Sequence, residues 1–256
     1  MANETPTADE IEAIGGRYAL ISRWAVDTIS TFEKNVKTHR PSDLLCITTM
    51  SVCSTYCNAV NVLLLNGLRM PTKAILRILF EVSAKVLWCL AEREADDSKS
   101  AVADKIEAWA KASLRADTEL RRDYLNIIPE KERDSLEQSI NDSEKTLSQS
   151  KCDSMPRKFC KLLTELGDDW HKRFYPQLYR QFNDSIHLDF VSLCSKATDN
   201  GTVVSVTYDS TEPIEELAQY WTINMHIILV AVRSFYGWDI AEMNNDFRKV
   251  NVADGS

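Results

Sequence analysis

The amino-acid sequence predicts an all-α fold, built as a bundle of long antiparallel helices. Glycine and proline are scarce, with seven of each in 256 residues, which disfavours a turn-rich β fold and low-complexity disorder. Six of the seven prolines stand where a helix can begin, a position at which the missing amide hydrogen costs nothing. A hydrophobic content of 44% can fill a sizeable core, so we expect one helical domain over residues 1–256.

Apolar periodicity and the proline positions together predict eight helices. Their approximate ranges are 8–36, 41–65, 71–94, 98–125, 129–150, 156–166, 176–193 and 213–236. The predicted organisation is an N-terminal helix in 1–40, a core bundle in 41–96 and 156–238, an inserted helical hairpin in 97–155 and a polar tail in 239–256.

Two segments depart from a simple bundle. The second helix of the inserted hairpin has only Leu136, Ile140 and Leu147 as an apolar stripe, so the hairpin either projects as an arm or covers a site. Residues 196–212, KATDNGTVVSVTYDSTE, combine a turn signal with β-branched and aromatic residues. We expect at most one short β-hairpin there, before the last helix.

Composition also limits the location and the ligands. A formal net charge of −8 disfavours generic binding to nucleic acid, although it is compatible with a local basic site. The first residues, MANETPTADE, do not resemble a signal peptide, and the apolar runs are too short to cross a bilayer. Seven cysteines without a framework spacing indicate reduced thiols. We expect a cytoplasmic protein that does not contact a membrane.

Three cysteines share one face of the second predicted helix. Cys46, Cys53 and Cys57 are spaced at i, i+7 and i+11, which leaves a metal site conceivable. Buried small hydrophobic residues are the favoured interpretation, because no histidine or further cysteine pair stands at ligand spacing. The motifs of P-loop enzymes, nucleophile-elbow hydrolases and zinc proteases are absent from the sequence. We expect neither a metal nor a cofactor.

The third predicted helix carries a charged stripe. Its charged residues recur every four positions on an otherwise apolar helix, as Lys73, Arg77, Glu81 and Lys85. The stripe either faces water, with i,i+4 ion pairs that contribute about 0.2–0.5 kcal/mol each, or lines a cavity beside a central helix. The spacing leaves both alternatives open.

The segment LYRQFNDSIHLDF, residues 178–190, places Arg180, Asn183 and His187 within two helical turns on one face. A histidine can exchange a proton with an RNA 2′-hydroxyl or a leaving 5′-oxygen near neutral pH, and an arginine can stabilise charge on the phosphate. A packed, capping or solvated histidine is the alternative. A second helical histidine, His226, either faces the same cavity or belongs to the core.

RILFEVSAKVLW, residues 77–88, followed by LYRQFNDSIH, resembles a family of uncharacterised bacterial helical proteins that pair an R-x-x-x-E helix with a late helix containing arginine and histidine. More broadly, the chain is similar to the HEPN superfamily, whose helical core ends in an R-x(4–6)-H motif. Gln181 departs from that pattern, because many HEPN ribonucleases have a polar residue, often asparagine, directly after the arginine. Either Arg180 spans the extra spacing, or the nuclease geometry is lost.

The resemblance implies a metal-independent ribonuclease that acts as a homodimer, with RNA as substrate and a composite site across the two-fold axis. Arg180 and His187 would be catalytic, and Asn183 would position the substrate. Such proteins serve as toxins or antiphage effectors, and an antitoxin or defence-system partner is implied. Others are inactive binding partners.

The expected substrate-binding residues come from two helices. Arg77, Glu81 and Lys85 would shape the pocket from the charged stripe. Tyr179, Lys172 and Arg173 belong to DDWHKRFYPQLYR, residues 168–180, where basic residues alternate with aromatic rings as in single-stranded RNA sites. An ordinary amphipathic connection is the favoured interpretation of that segment. The alternative function is a non-catalytic helical module that binds a small ligand or a partner protein through the same polar stripes.

Overall fold

The computed structural model describes residues 5–37, 40–90, 101–149, 155–156, 158–180, 197–199, 204–206 and 213–252. This part of the chain is almost entirely helical, which confirms the all-α prediction. Its helices are α1 (Ala8–Asn35), α2 (Pro41–Leu65), α3 (Arg69–Leu90), α4 (Ala101–Leu125), α5 (Glu130–Gln149), α6 (Phe159–Leu166), a π-helix (Trp170–Arg180), α7 (Ile214–Phe235) and α8 (Ala241–Val252). Two three-residue strands, β1 (Ala197–Asp199) and β2 (Val204–Val206), pair antiparallel.

Local sequence explains where the first two helices begin. The Thr7 hydroxyl accepts the amide hydrogen of Glu10 at 3.2 Å, and the Glu10 carboxylate accepts that of Thr7 at 2.8 Å, which forms a capping box. Pro41 is the first residue of α2. The buried carboxylate of Asp43 accepts the Arg40 amide hydrogen at 2.9 Å, so one end of α2 is satisfied without water.

Helix α3 is the centre of the bundle. It packs against α2 and α7, and on its other side against α4, α6 and the π-helix, while α1 packs against α2 and α7. Phe80 is fully buried on α3, with Phe159 at 5.8 Å and Trp170 at 6.0 Å between ring centroids. Trp221 of α7 is also fully buried. Large rings on the two central helices therefore hold the bundle together.

Helices α4 and α5 pack against each other, and α4 also packs against α2 and α3. Val102 and Ala108, in the first half of α4, are buried against the bundle. In α5 only Ile140 and Ser143 are buried, as its thin apolar stripe indicates. One half of α4 thus belongs to the bundle, and the half that follows supports α5.

The prediction that a helix begins at Pro176 is wrong, because the helix in this segment begins at Trp170. Pro176 lies inside the π-helix, six residues after Trp170, and is exposed to solvent. A proline there cannot donate to the carbonyl five residues earlier, that of His171. Rings four residues apart stack along this segment, with Tyr175 and Tyr179 at 5.2 Å, and this aromatic packing outweighs the missing hydrogen bond.

The predicted polar tail contains a helix, α8, which corrects that expectation. Buried Arg17 of α1 donates from Nη1 to the Asn251 side chain at 3.0 Å. Phe247 stacks on His226 of α7, with ring centroids 4.0 Å apart. Met243 is buried as well. Seven of the twelve residues of α8 are polar or charged, which hides the helix from an apolar-periodicity search.

His226 packs among core residues, which is the second of the two alternatives that the sequence leaves for this histidine. Its ring lies between Phe247 and Trp24, and its Nε2 lies 2.9 Å from the Asn244 side-chain oxygen. Burial lowers the pKa of His226, and the hydrogen bond with Asn244 opposes that effect only in part.

The thiols of α2 and α3 are buried and far from ionisation. Burial raises the pKa of Cys46, Cys53 and Cys89 to about 12 and that of Cys57 to about 11. Within the described ranges, no group of three or more histidine, cysteine, aspartate or glutamate side chains could hold a metal ion. Among the helices that the structure describes, none has both the length and the apolar character needed to span a membrane.

A buried polar contact joins the start of α2 to the end of α7. The Tyr236 hydroxyl donates to Asp43 at 2.6 Å, and the Arg40 guanidinium donates to the same carboxylate at 3.2 Å. Burial raises the pKa of Asp43, but the hydrogen bonds from Arg40 and Tyr236 outweigh that effect and hold the pKa below its ordinary value. Burial raises the pKa of Tyr236, so its hydroxyl remains a donor.

We predict that Tyr236→Phe lowers the free energy of unfolding by about 1.5–3 kcal/mol at neutral pH, because a buried carboxylate loses a donor. The pKa of Asp43 is lower in the folded than in the unfolded chain, so the stabilisation is present above an unfolded pKa of about 3.9 and disappears below the folded one. Urea denaturation of both proteins at several pH values measures this.

The matched control is Tyr124→Phe, which removes the hydroxyl of a half-exposed ring on α4 and should leave stability within about 0.5 kcal/mol. A loss for Tyr236→Phe that stays constant from neutral pH to below the folded pKa of Asp43 would contradict the assigned contact.

Candidate functional site

A cleft of about 470 Å³ opens on the side of α3 that faces α4, α6 and the π-helix. Helix α3 contributes Glu81 and Lys85 to its wall, and the π-helix contributes Tyr179. The opposite wall is α4, and residues 155–156 with the start of α6 close one side. Its volume lies within the usual range for small-ligand sites, about 300–1,000 Å³.

Arg77 is the buried polar group beside this cleft. It is only 9% exposed, its Nη2 donates to the Tyr179 hydroxyl at 2.8 Å, and its guanidinium carbon lies 4.4 Å from the centre of the Tyr179 ring. Its Nε lies 3.5 Å from the Glu81 carboxylate. Within the described part of the chain, Nε and Nη1 have no hydrogen-bond partner of good geometry. A buried guanidinium therefore retains unused donors next to the cleft.

The charged stripe of α3 forms i,i+4 ion pairs and also reaches a cavity, so each of the two interpretations of its spacing is correct in part. Glu81 pairs with Arg77 and, at 3.7 Å, with Lys85, as expected for i,i+4 neighbours. Lys73 and Arg77 are nevertheless buried, and Glu81 and Lys85 line the cleft at about 30% side-chain exposure. The stripe begins inside the bundle and ends at the cleft.

Tyr179 positions Arg77 and does not offer an open ring face. Arg77 covers one side of the ring, and Tyr175 and Phe159 lie at 5.2 and 4.7 Å from it. Trp170 and Phe174 pack on each other at 5.2 Å, and Trp170 packs against Phe80. The aromatic rings expected to stack on RNA bases are used for packing, which agrees with the interpretation of this segment as an amphipathic connection.

Of the basic residues predicted to bind substrate from that segment, Lys172 is described, and it is not part of the cleft lining. Lys172 is exposed and pairs with Asp168 at 2.6 Å; that hydrogen bond raises the pKa of Lys172. Arg173 lies on the π-helix, but its side chain is outside the described residues. The structure therefore groups Arg77, Glu81, Lys85 and Tyr179 and leaves Lys172 outside the group.

The predicted catalytic residues begin where the π-helix ends. Arg180 is its last residue, and its α-carbon is one peptide unit, about 3.8 Å, from that of Tyr179. The side chain of Arg180, like Asn183 and His187 entirely, lies outside the described residues. The anchored tyrosine therefore places the backbone of Arg180, the first residue of the predicted R-x6-H segment, beside the cleft.

Helix α4 supplies cleft residues that the sequence analysis missed. Trp109, Arg115 and Glu119 line the cleft, separated by Ala112, Ser113 and Ala116. Small residues on that face leave space that larger side chains would fill. The detectable signal was this run of small residues between a tryptophan and a charged pair on the bundle-facing side of an amphipathic helix.

The register between α3 and α4 fixes where these residues meet. Lys85 Nζ lies 5.9 Å from the Trp109 ring centre, and Lys105 Nζ lies 5.4 Å from that of Trp88. The two helices are therefore antiparallel, and the same register brings Arg115 and Glu119 to the level of Arg77. Trp109 lies at one end of the cleft beside Lys85, and Arg115 and Glu119 form a charged end at the other.

Residues 43–201, more than half of the chain, match the model of a family of unknown function, DUF5677. The chain belongs to the DUF5677 family. The matched region contains every residue that lines the cleft and also the segment from Arg180 to His187. No curated protein and no solved structure matches this DUF5677 chain.

We predict that Tyr179→Phe lowers the free energy of unfolding of the DUF5677 chain by about 1.5–3 kcal/mol, because the charged Arg77 loses its acceptor. The loss should shrink in an Arg77→Met background, where no buried charge remains, and urea denaturation of the four proteins gives the coupling energy.

Tyr175→Phe is the control, since that ring stacks on Tyr179 but its hydroxyl makes no hydrogen bond among the described residues. Equal losses for the two tyrosine variants would contradict an Arg77–Tyr179 hydrogen bond that stabilises the fold.

Proposed function

We propose that this DUF5677 chain is a metal-independent RNA endonuclease with a HEPN-like helical bundle, and that the cleft beside α3 binds its substrate. The observation that carries the proposal is Arg77, a buried guanidinium with unused donors next to the segment that begins at Arg180. Phosphate is an acceptor that such a group binds well.

The proposed reaction is attack of an RNA 2′-oxygen on the adjacent phosphorus. The 2′-O–P bond forms and the P–O5′ bond breaks, which leaves a 2′,3′-cyclic phosphate and a free 5′-hydroxyl. One His187 takes the 2′-hydroxyl proton, and a protonated second His187 gives a proton to the leaving 5′-oxygen. Arg180 stabilises the charge on the phosphorane, and Asn183 positions the phosphate.

Two histidines with opposite roles require two copies of the chain. We therefore propose a homodimer whose segments from Arg180 to His187 meet across a two-fold axis. The protein would act in the cytoplasm on cellular RNA, as a toxin or antiphage effector held in check by an antitoxin or another defence-system partner. The support is the similarity of the R-x6-H segment to HEPN ribonucleases.

The test is RNA cleavage by the purified wild-type protein in EDTA. We expect cyclic-phosphate ends and growth inhibition when the protein is overproduced in bacteria. His187→Ala and Arg180→Ala should each lower cleavage by about 10²–10⁴-fold, the usual contribution of acid–base or electrostatic groups.

His171→Ala is the control, because His171 stacks on Tyr175 in the same segment, 6.1 Å between ring centres, and has no proposed catalytic role. If His187→Ala cleaves RNA as fast as the parent, the proposed mechanism is wrong.

A second candidate function is a non-catalytic module that binds a small ligand or a partner protein. The favouring observation is the charge balance of the site, where the carboxylates of Glu81 and Glu119 stand among Arg77, Lys85 and Arg115. Such a mixture suits a ligand that carries both charges better than it suits a polyanion. The net charge of −8 also disfavours a polyanion as the ligand.

For this candidate we predict no RNA cleavage and a rise in melting temperature with millimolar free amino acids or nucleotides. The rise should disappear in Arg77→Ala and persist in Arg122→Ala, which removes an exposed ion pair with Glu144 outside the cleft lining. Cleavage that depends on His187, or equal shifts in the two variants, would exclude the module.

A further inference from the structure

We propose that the cleft between α3 and α4 binds one unpaired nucleotide of a single-stranded RNA, with the base against Trp109 and a phosphate at Arg115, near the buried charge of Arg77. This inference rests on the proposed ribonuclease function and names the form of RNA that the site accepts.

Trp109 is the aromatic ring best placed to receive a base. Its side chain lines the cleft and is partly exposed, with Lys85 as a loose cationic neighbour at 5.9 Å from the ring centre. Two other rings line the cleft, but the faces of Tyr179 are covered by Arg77 and Tyr175, and Phe159 packs against Phe80 and Tyr179. A base stacked on an aromatic ring gains energy whatever its identity, so the contact requires an unpaired base and little else.

Small residues make the room for that base. Ala112 and Ser113 follow Trp109 on the cleft side of α4, one turn further along the helix. Together with Ala116 they leave an open strip between Trp109 and the charged end. A double helix presents no free base face and would be excluded from a cleft of about 470 Å³.

The phosphate would lie at the opposite end. Arg77 and Lys85 are eight residues apart on α3, so the two ends of the cleft are separated by about 12 Å along the helix axis. Arg115 lines the cleft and forms no ion pair with any described residue, and the guanidinium of Arg77, whose Nε and Nη1 are buried, adds positive charge behind the cleft wall. A single guanidinium group can bind one phosphate group bidentately.

The carboxylates limit the site to a short segment. Glu119 lies one turn beyond Arg115, and Glu81 lies one turn from Arg77 toward Lys85. A second phosphate beside either of them would meet a like charge. The site therefore neutralises about one phosphate, and the salt dependence of binding should be shallow, with a slope near −0.7 in a plot of log K against log salt.

The experiment measures binding of a fluorescein-labelled 2′-O-methyl hexauridylate, which lacks the attacking hydroxyl and cannot be cleaved. We expect the wild-type chain to bind this oligonucleotide and not to bind the matched duplex. The affinity for the oligonucleotide should fall with salt at the shallow slope given above. Trp109→Leu should weaken binding about 5- to 100-fold, and Trp109→Phe should restore most of it. Arg115→Gln should weaken binding and flatten the salt slope.

Arg122→Gln is the matched control on α4, because it changes an exposed arginine outside the cleft lining and should bind as the parent does. Thermal melts of each variant separate loss of binding from loss of fold. Since Trp109 also packs against the core, Arg115→Gln is the variant that decides the result if Trp109→Leu is unstable.

The outcomes separate the two proposals. RNA cleavage in EDTA together with unchanged oligonucleotide binding by Trp109→Leu and Arg115→Gln would overturn the nucleotide site and leave the nuclease. Binding that requires both residues, without any cleavage, would support the site and remove the nuclease. Equal binding of the duplex would overturn the claim of an unpaired strand as ligand.

Discussion

The architecture depends on burying a positive charge, that of Arg77, in the middle of the central helix. Helix α3 packs against helices on both sides, so a guanidinium at this position must find acceptors inside the protein. Glu81 supplies a charge partner from the next turn, and Tyr179 supplies a hydrogen-bond acceptor from the π-helix. This hydrogen bond and the packing of Trp170 on Phe80 hold the π-helix against α3. The guanidinium donors at Nε and Nη1 stay without a hydrogen-bond partner among the described residues.

Charged side chains buried at the ends of the bundle also have hydrogen-bond partners inside the protein. Asp43 is buried where α2 begins, and it is stable as a carboxylate because Tyr236 and Arg40 donate to it. Arg17 is buried where α1 meets α8, and it donates to Asn251. Apolar helix surfaces slide past one another at small cost, whereas a displaced buried charge loses its partners. These polar contacts therefore select one alignment of otherwise interchangeable apolar faces.

Helix positions were largely predictable, and failures have a common cause. Proline and apolar spacing locate α1 to α5 and α7 within a few residues, because those signals are local. The start at Pro176 was wrong and α8 was missed, because distant rings and Arg17 decide both. Within the site, the stripe of α3 is visible at four-residue spacing. Trp109 and Arg115 cannot be assigned to the site from the sequence, because only the register between α3 and α4 brings them opposite the charged stripe.

The charge balance of the cleft has a consequence for any polyanion that enters it. Nonspecific RNA binding rests on many phosphate contacts, and those are excluded here by Glu81, Glu119 and a net charge of −8. Binding energy would have to come from a stacked base and one well-held phosphate. Such a site gains little from electrostatic steering, and it discriminates by whether a base is unpaired. Structured RNA would then be protected by its own pairing, and loops and ends would be the sites exposed to the chain.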